Sequence, residues 1–193
     1  CFPVTIDFEL DGNGQQLLAG DYVSTNWENA FGLTIQASGR DGRGYQGGAA
    51  RLFDSSSPGS ETDGNPALGS PNSNCPICQD PNALCPGISN TMDSTAARNT
   101  NCVPQNLVLI IEDDNVGNPD DLDDGGTITF SWDHPLMEFS SIGLMNVNLN
   151  NTGSLDVKQT FFLAPTNRSL GGLGENTVEV VDVSLEEVES VSI

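Results

Sequence analysis

The sequence predicts an all-β fold, an antiparallel β-sandwich of the jelly-roll or lectin-like type with one long loop insertion. Apolar residues alternate with polar ones or form short runs, and no segment keeps the i, i+3, i+4, i+7 spacing of an amphipathic helix over three turns. Turns rich in Gly, Asn, Asp and Pro, such as DGNG and NNTG, separate these runs. We expect the 193 residues to form a single domain, residues 1–193.

The alternating and apolar runs predict nine strands. In chain order they are Val4–Leu10, Leu33–Ala37, Ala49–Phe53, Leu107–Glu112, Thr127–Trp132, Glu138–Asn148, Ser154–Leu163, Thr177–Leu185 and Val188–Ile193. Between the third and fourth strands, residues 54–104 have almost no apolar periodicity. A structureless insertion of this length is uncommon in a compact domain unless it is functional or cross-linked.

Four of the five cysteines lie in this insertion. They are Cys75, Cys78, Cys85 and Cys102. The CxxC pair resembles half of a zinc site, but the other two cysteines are single and no histidine accompanies them. Two disulfides that staple the loop are the interpretation that suits an extracellular chain, and the spacing leaves their pairing open. Cys1 is then left over, and we expect it to pair upstream of this fragment or with another chain.

The charge of the chain limits its partners. There are 27 acidic and 6 basic residues, a net charge of −21, which argues against binding to nucleic acids and to anionic membranes. Cations, basic protein surfaces and neutral sugars remain as candidate partners. No apolar run approaches the roughly 20 residues that span a bilayer, so we expect no membrane insertion. Sequons at Asn150 and Asn167 predict glycosylation and, with the cysteines and the acidity, a secreted or cell-surface location.

Seven acidic residues crowd one short loop before the strand GTITFSW. They are Glu112, Asp113, Asp114, Asp120, Asp121, Asp123 and Asp124. Calcium takes six to eight oxygen ligands in irregular geometry, which such a loop can supply. The loop starts like an EF-hand, but Trp132 stands where that motif needs its last ligand. We therefore predict calcium, with Glu112, Asp114, Asp120, Asp121 and Asp123 as ligands; the alternative is a solvated charge run.

Two further groups of residues are candidate calcium ligands. Alternation in the first predicted strand places Asp7 and Glu9 on one face, and Glu9 could share an ion with Asp182; the alternative is an edge charge that deters aggregation. Asp54, Asp63 and Asn65 flank the start of the long loop and could bind a second ion. Their alternative role is to cap turns through Asx side chains.

Aromatic residues are few, and two lie in polar contexts. Sugar-binding sites present an exposed ring that stacks on a sugar, so Trp27 in STNWENA and Tyr45 in GRGYQGG are the candidate ligand-binding residues. The alternative for any tryptophan is packing in the core. Trp132 lies in a strand pattern, and we expect it in the core.

Several phrases, taken in order, resemble a known group of proteins. They are IDFE, FGLTIQASG, AARLFDSSSPG, NPALGSP, NLVLIIED, NPDDLDDGGTITFSW and SIGLMNVNLN. The order is similar to that in a broad group of secreted all-β domains from surface-anchored bacterial proteins and from extracellular proteins of diatoms and other stramenopiles. The resemblance spans residues 4–193. It implies an extracellular β-sandwich of lectin-like or adhesion character that is stabilised by calcium.

The chain departs from that group at two places. Where the group has DPDLG and DID, this chain has Asn65-Pro66-Ala67-Leu68-Gly69 and Asn146-Val147-Asn148. Both carboxylate pairs are lost together. Our hypothesis is that the two phrases face one shared cation site, which is weaker here because asparagine offers a carbonyl oxygen without charge.

These observations predict a non-catalytic, calcium-stabilised module for extracellular glycan binding or adhesion, with glycans or other extracellular proteins as partners. The alternative is a structural subunit of an extracellular filament, hair or sheath that self-associates, with Cys1 and the terminal VESVSI strand making contacts between chains. A glycoside-acting enzyme is the third class, because paired carboxylates are available. The single histidine, His134, offers only weak support for a Ser-His-Asp triad.

Overall fold

A computed structural model describes residues 3–39, 49–56, 65–88, 100–113, 119, 121–122, 125–147, 152–162 and 164–193. Seven strands form its framework. They are β1 (Leu33–Gly39), β2 (Ala50–Asp54), β3 (Leu107–Ile111), β4 (Gly126–Met145), β5 (Thr152–Gln159), β6 (Thr166–Gly171) and β7 (Val178–Ser192). A four-residue helix, α1 (Glu28–Phe31), and two 3-10 turns, Pro66–Leu68 and Pro76–Gln79, complete the regular structure.

The strands form two antiparallel sheets, which confirms the predicted all-β sandwich. The large sheet has the order β1-β4-β7-β5-β6, and the small sheet pairs β2 with β3. Each buried face follows from the period-2 alternation of its strands. In β7, for example, Val181 and Val183 are buried whereas Asp182 and Ser184 are exposed.

The two larger of three hydrophobic clusters form most of the core. The first lies between the small sheet and β1, where Leu33 and Ile35 of β1 pack with Ala50 and Leu52 of β2. The second fills the other half of the large sheet. Its buried members are Leu155, Val157, Leu170, Val181, Val183, Val188 and Val191. Trp132 contacts both clusters, so the half-buried indole joins the two parts of the core.

Strands β4 and β7 form a long ribbon that the sequence divides into four pieces. Predicted strands Thr127–Trp132 and Glu138–Asn148 are one strand in the structure, as are Thr177–Leu185 and Val188–Ile193. The predicted break in β4 corresponds to a register shift between Ser131 and Leu136, and a second shift lies between Phe139 and Ser141. Irregularities of this kind bend a strand without ending it. The Arg168 side chain of β6 donates to the Asp182 carbonyl oxygen of β7.

The predicted first strand, Val4–Leu10, is wrong. Only Leu10 forms an isolated bridge, with Gln16, and Phe8 has a positive φ of 65°, which interrupts an extended strand. A turn follows, in which the backbone N–H of Gln15 donates to the Asp11 carboxylate. That hydrogen bond is the main cause that lowers the pKa of Asp11, and the N–H of Asn13 acts in the same direction.

The end of the sequence is also placed differently from our expectation. VESVSI is part of β7, which lies between β4 and β5, and Ser192 is paired with Thr129 on one side and Asp156 on the other. A strand that is paired on both sides cannot extend the sheet of another chain. One edge of the large sheet is β1, and the other is β6, a strand that the sequence analysis missed because TNRSLG is mostly polar and exposed.

No helix among the described residues is long and apolar enough to cross a membrane.

Candidate functional site

The cysteine-rich insertion is joined by two disulfides, as predicted. Cys75 pairs with Cys102, and Cys78 pairs with Cys85. The first bond closes a loop with a sequence separation of 27 residues, and the second closes one of 7 residues inside it. The pairing, which the spacing left open, is therefore nested. We call residues 65–88 and 100–105 the stapled loop.

Besides the two disulfides, a hydrogen-bonded cluster of three buried asparagines holds the stapled loop in place. We call this cluster the asparagine knot. Asn72, Asn101 and Asn176 are all fully buried. Asn72 Nδ2 donates to Asn176 Oδ1 (2.6 Å), and Asn176 Nδ2 donates to the carbonyl oxygens of Ala67 (2.8 Å) and Gly69 (2.7 Å). Buried polar groups stabilise a fold only when they are satisfied. These contacts fasten the loop to residue 176, just before β7.

Gly87 and the hydroxyl group of Ser70 complete this asparagine knot. A side chain at Gly87 would come within 2.5 Å of the Gly69 carbonyl oxygen and 2.7 Å of Asn176 Oδ1, so only glycine fits. Buried Ser70 donates to Asn101 Oδ1 at 2.7 Å. The sequence analysis missed this network, because buried asparagines lack the periodicity that marks an apolar core.

The two phrases that depart from the resembled group both contact Asn176. Asn146 Oδ1 accepts the backbone N–H of Asn176 (2.9 Å), while the Asn176 side-chain amide donates to carbonyls of the Asn65–Gly69 phrase. Asn176 therefore links the two phrases through its backbone on one side and its side chain on the other. Whether a cation binds beside it stays a hypothesis, and Asn148 lies outside the described residues.

Glu112, a predicted calcium ligand, is fully buried in an ion pair. Its Oε1 lies 2.9 Å from Nη1 of Arg51, which is on the neighbouring strand β2. Arg51 Nε donates to the Gly20 carbonyl oxygen at 3.0 Å, and the guanidinium lies 5.1 Å from the centre of the Tyr22 ring. A buried carboxylate needs a countercharge, because its desolvation is costly. Arg51 supplies that charge and ties β2 to the end of β3.

Two other predicted ligands, Asn65 and Asp121, are in direct contact. Asn65 Nδ2 donates to Asp121 Oδ1, and Asn65 Oδ1 accepts the Ala67 N–H at 3.0 Å, which caps the 3-10 turn. Asp121 also forms a backbone bridge with Glu112. The structure therefore brings three predicted ligands to one end of the small sheet, with the Glu112 carboxylate and the Asn65 oxygen already bonded to protein groups.

Glu9 and Asp54 lie at the opposite end of the small sheet. Asp54 pairs with Leu107 in the register, and Glu9 Oε1 accepts the Leu107 N–H at 3.1 Å. Asp54 Oδ1 accepts hydrogen bonds from the N–H and the hydroxyl of Ser56 at 2.9 and 2.6 Å. Asp54 therefore caps an Asx turn, which was the alternative to ion binding. Asp182 accepts from Ser184 on β7 and does not partner Glu9.

The remaining predicted ligands, Asp63, Asp114, Asp120 and Asp123, lie outside the described residues. Within the part of the chain that the structure describes, no group of three or more His, Cys, Asp or Glu side chains could hold a metal ion. The described candidates do not form a calcium site by themselves. Calcium binding therefore stays a prediction that depends on the four residues named above.

The interpretation of Trp27 as a sugar platform requires correction. Trp27 is 1% exposed, packs edge-on against Phe8 with ring centroids 5.7 Å apart, and donates its indole N–H to the Leu10 carbonyl oxygen. It is a core residue, which was the stated alternative. Tyr45, the second candidate, lies outside the described residues.

The register shift in β4 creates a surface depression of about 290 Å³. We call it the bulge depression. Its lining residues are Ser131, Trp132, Asp133, Pro135, Lys158, Glu189 and Ser190. Pro135 has no N–H to donate, so β4 leaves the β7 ladder there. Asp133 stays on the β1 side, where its N–H donates to the Gly32 carbonyl oxygen at 2.9 Å.

The bulge depression combines an aromatic surface with charged and hydroxyl groups. Trp132 is half-buried and packs on Phe139 with ring centroids 5.9 Å apart. Lys158 Nζ lies 2.6 Å from Glu189 Oε2, and both side chains keep access to solvent. Within the described residues the indole N–H of Trp132 has no hydrogen-bond partner. Tryptophan N–H groups in binding sites commonly bond to a ligand or water.

A second depression, about 350 Å³, lies between β1 and β2 beside Tyr22. Its described lining carries no charged side chain, and the Arg51 guanidinium lies over the Tyr22 ring. The bulge depression is therefore the better-defined candidate site.

His134 and the described sequon both lie on the surface. His134 is exposed in the β4 irregularity, and among the described residues no serine hydroxyl is hydrogen-bonded to it. Asn167 is exposed on β6, where its Nδ2 donates to Asp156 Oδ1 at 2.5 Å. Glycosylation at Asn167 stays a prediction, and Asn150 lies outside the described residues.

Comparison of the chain with protein-family models, with curated proteins and with solved structures gives no match.

Proposed function

We propose that this protein is an extracellular, non-catalytic adhesion module that binds neutral glycans in the bulge depression. The observation that carries the proposal is the combination of Trp132 with Asp133, Lys158 and Ser190 around one cavity of about 290 Å³. That volume is at the lower end of the roughly 300–1,000 Å³ range of small-ligand sites. A single sugar unit or the end of a glycan chain suits a site of this size.

The chemistry of the lining fits a sugar better than a charged ligand. A pyranose has an apolar face of C–H groups and a rim of hydroxyls that both donate and accept hydrogen bonds. Trp132 supplies an apolar surface and a donor, Asp133 supplies acceptors, and Lys158 supplies donors. The paired charges of Lys158 and Glu189 leave the depression without a strong excess of either sign. The net charge of −21 disfavours anionic ligands in addition.

Support for an extracellular location comes from the two disulfides, which persist in oxidising compartments. A calcium ion in the acidic loop is part of the same proposal. It is supported by the contact between Asn65 and Asp121, which places an amide and a carboxylate at the end of β3. The ion would stabilise the loop and would not touch the glycan.

The proposal is tested by titrating the protein with soluble oligosaccharides of mannose, xylose and glucose in a calorimeter. We expect one of them to bind the wild type. Asp133→Asn and Lys158→Met should each weaken that binding about tenfold, because a hydrogen bond to a charged group contributes roughly 1.5–3 kcal/mol. Trp132→Phe keeps most of the packing and removes the indole N–H, so it should also weaken binding.

Glu175→Gln is the matched control, because Glu175 is exposed and lies outside the depression. It should bind as the wild type does. The glycan proposal fails if no oligosaccharide binds, or if the three depression variants bind as well as Glu175→Gln. Release of new reducing ends during the titration would instead identify a glycoside-acting enzyme.

A further inference from the structure

The hairpin between β5 and β6 carries the most exposed aromatic residues of the described chain. Phe161 is 79% exposed and Phe162 is 63% exposed. Burying one such side chain in a contact contributes roughly 1.5–3 kcal/mol of hydrophobic free energy, which these residues forgo in the free protein. Two adjacent exposed phenylalanines therefore mark a contact surface.

The hairpin lies against the bend of β7, so its position is fixed. The Thr160 N–H donates to the Glu187 carbonyl oxygen at 3.0 Å, and Gln159 Nε2 donates to the Glu186 carbonyl oxygen at 2.7 Å. Gln159 is itself at the edge of burial, 9% exposed. Phe161 and Phe162 are thus held beside residues 186 and 187 on a hydrogen-bonded scaffold.

Three glutamates lie on the strand segments next to this apolar tip. Glu138, Glu186 and Glu187 are all exposed, and none of them forms an ion pair with a lysine or arginine in the described part of the chain. Glu138 is directly opposite Glu186 in the register, an arrangement of like charges that destabilises a strand pair. Glu187 also has a positive φ of 55°, which is unfavourable for a residue with a side chain. Fold stability explains none of these features.

We infer that this surface, which consists of Phe161, Phe162, Glu138, Glu186 and Glu187, docks a cationic segment of another protein that also carries apolar side chains. Lysine or arginine side chains of the partner would neutralise the facing glutamates, and its apolar side chains would cover the two phenylalanines. Complementary charge fixes the partner class, because an acidic protein or a second copy of this chain would be repelled. The site is separate from the bulge depression and does not depend on the glycan proposal.

Fluorescence anisotropy with two labelled ten-residue peptides tests the inference. One peptide alternates lysine with leucine, and the other alternates lysine with serine and has the same charge. We expect the wild type to bind the lysine–leucine peptide at least about tenfold more tightly. Phe161→Ser/Phe162→Ser should abolish that preference. Glu186→Gln/Glu187→Gln should weaken binding severalfold and reduce its dependence on salt.

Two matched control variants separate this surface from the general acidity of the chain. Glu28→Gln/Glu175→Gln removes the same charge from exposed positions elsewhere, and Ile77→Ser/Leu84→Ser removes two exposed apolar residues from the stapled loop. Both should bind the lysine–leucine peptide within about twofold of the wild type. Equal weakening in the controls, or equal binding of the two peptides, would overturn the inference.

Sedimentation velocity on the free protein provides a further check. We expect a monomer, and the Phe161→Ser/Phe162→Ser variant should sediment in the same way. If the wild type is a dimer and this variant is a monomer, the surface is occupied by a second copy, and the cationic partner is refuted. Thermal melting of each variant confirms that the fold is retained, which is expected because the replaced side chains are exposed.

Discussion

The stapled loop and the second hydrophobic cluster are held in place by different forces. The cluster between β5, β6 and the ribbon is built from valines and leucines on alternating strand positions. The stapled loop contributes few buried apolar residues; it is fixed by two disulfides and by the hydrogen bonds of Asn72, Asn101 and Asn176. A segment with little hydrophobic character can therefore still be anchored to the fold, provided that its polar groups are satisfied.

The largest expected loss of stability comes from a substitution in the asparagine knot. Asn176→Ala removes donors to two well-placed carbonyls and the acceptor of Asn72, and it places alanine at a φ of 53°. Each buried group left unsatisfied costs about 1–3 kcal/mol. We expect a loss of about 4 kcal/mol in the free energy of unfolding, measured by urea denaturation, and new protease cleavage within residues 65–105.

Leu155→Ala is the control variant, because it weakens the second hydrophobic cluster and leaves the stapled loop unchanged. Leu155 is 1% exposed in the second cluster, and its truncation should cost about 3 kcal/mol. Stability should fall without preferential cleavage of the stapled loop. If Asn176→Ala costs less than about 1 kcal/mol, or if both variants give the same cleavage pattern, the two regions are not held independently.

Removing each disulfide should lower the free energy of unfolding by an amount that increases with the length of the loop that the disulfide closes. Cys75→Ser/Cys102→Ser opens the loop of 27 residues and should cost about 3.5 kcal/mol, whereas Cys78→Ser/Cys85→Ser opens the loop of 7 residues and should cost about 2.4 kcal/mol. Urea denaturation of the two variants measures both values. An inverted order would show that the chain-entropy account does not apply, and that the knot already restrains the larger loop.

The smallest expected loss of stability comes from removing calcium. In this prediction a bound ion holds the acidic loop, whereas disulfides hold the stapled loop. Removing calcium with a chelator should lower the melting temperature by about 2–4 °C, the shift that 1 kcal/mol produces in a domain of this size. Differential scanning calorimetry in 1 mM chelator, with excess calcium as the control, measures the shift. An unchanged melting temperature would refute the calcium prediction for Glu112–Asp124.

The sequence predicted the strands well where apolar residues alternate. Strands β1, β2 and β3 match their predicted ranges within two residues. Strand β6 was missed because most of its residues are exposed at a sheet edge, so no alternation marks it. Val4–Leu10 shows alternation but is not a strand, because Phe8 turns inward onto Trp27 with a positive φ.

The candidate site was less predictable than the fold. Trp132 was expected in the core, and its half-buried indole does pack against both hydrophobic clusters. The sequence did not indicate that the indole also lines a depression, which lies where β4 and β7 lose register around Pro135. Glu112 was expected to face a cation in the loop, yet its countercharge comes from Arg51, a residue 61 positions earlier. Such long-range partners depend on strand pairing, which single-sequence patterns do not specify.

The position of β7 has a consequence for how the molecule is assembled. It is the last of the seven strands in chain order, but it is the only one that joins the β1–β4 pair to the β5–β6 pair. Because β4 and β5 precede β7 in the chain, the edges that β7 later joins are synthesised before their partner. Such unpaired edges invite pairing with other chains. Mutual repulsion between the many acidic side chains disfavours that pairing between incomplete molecules.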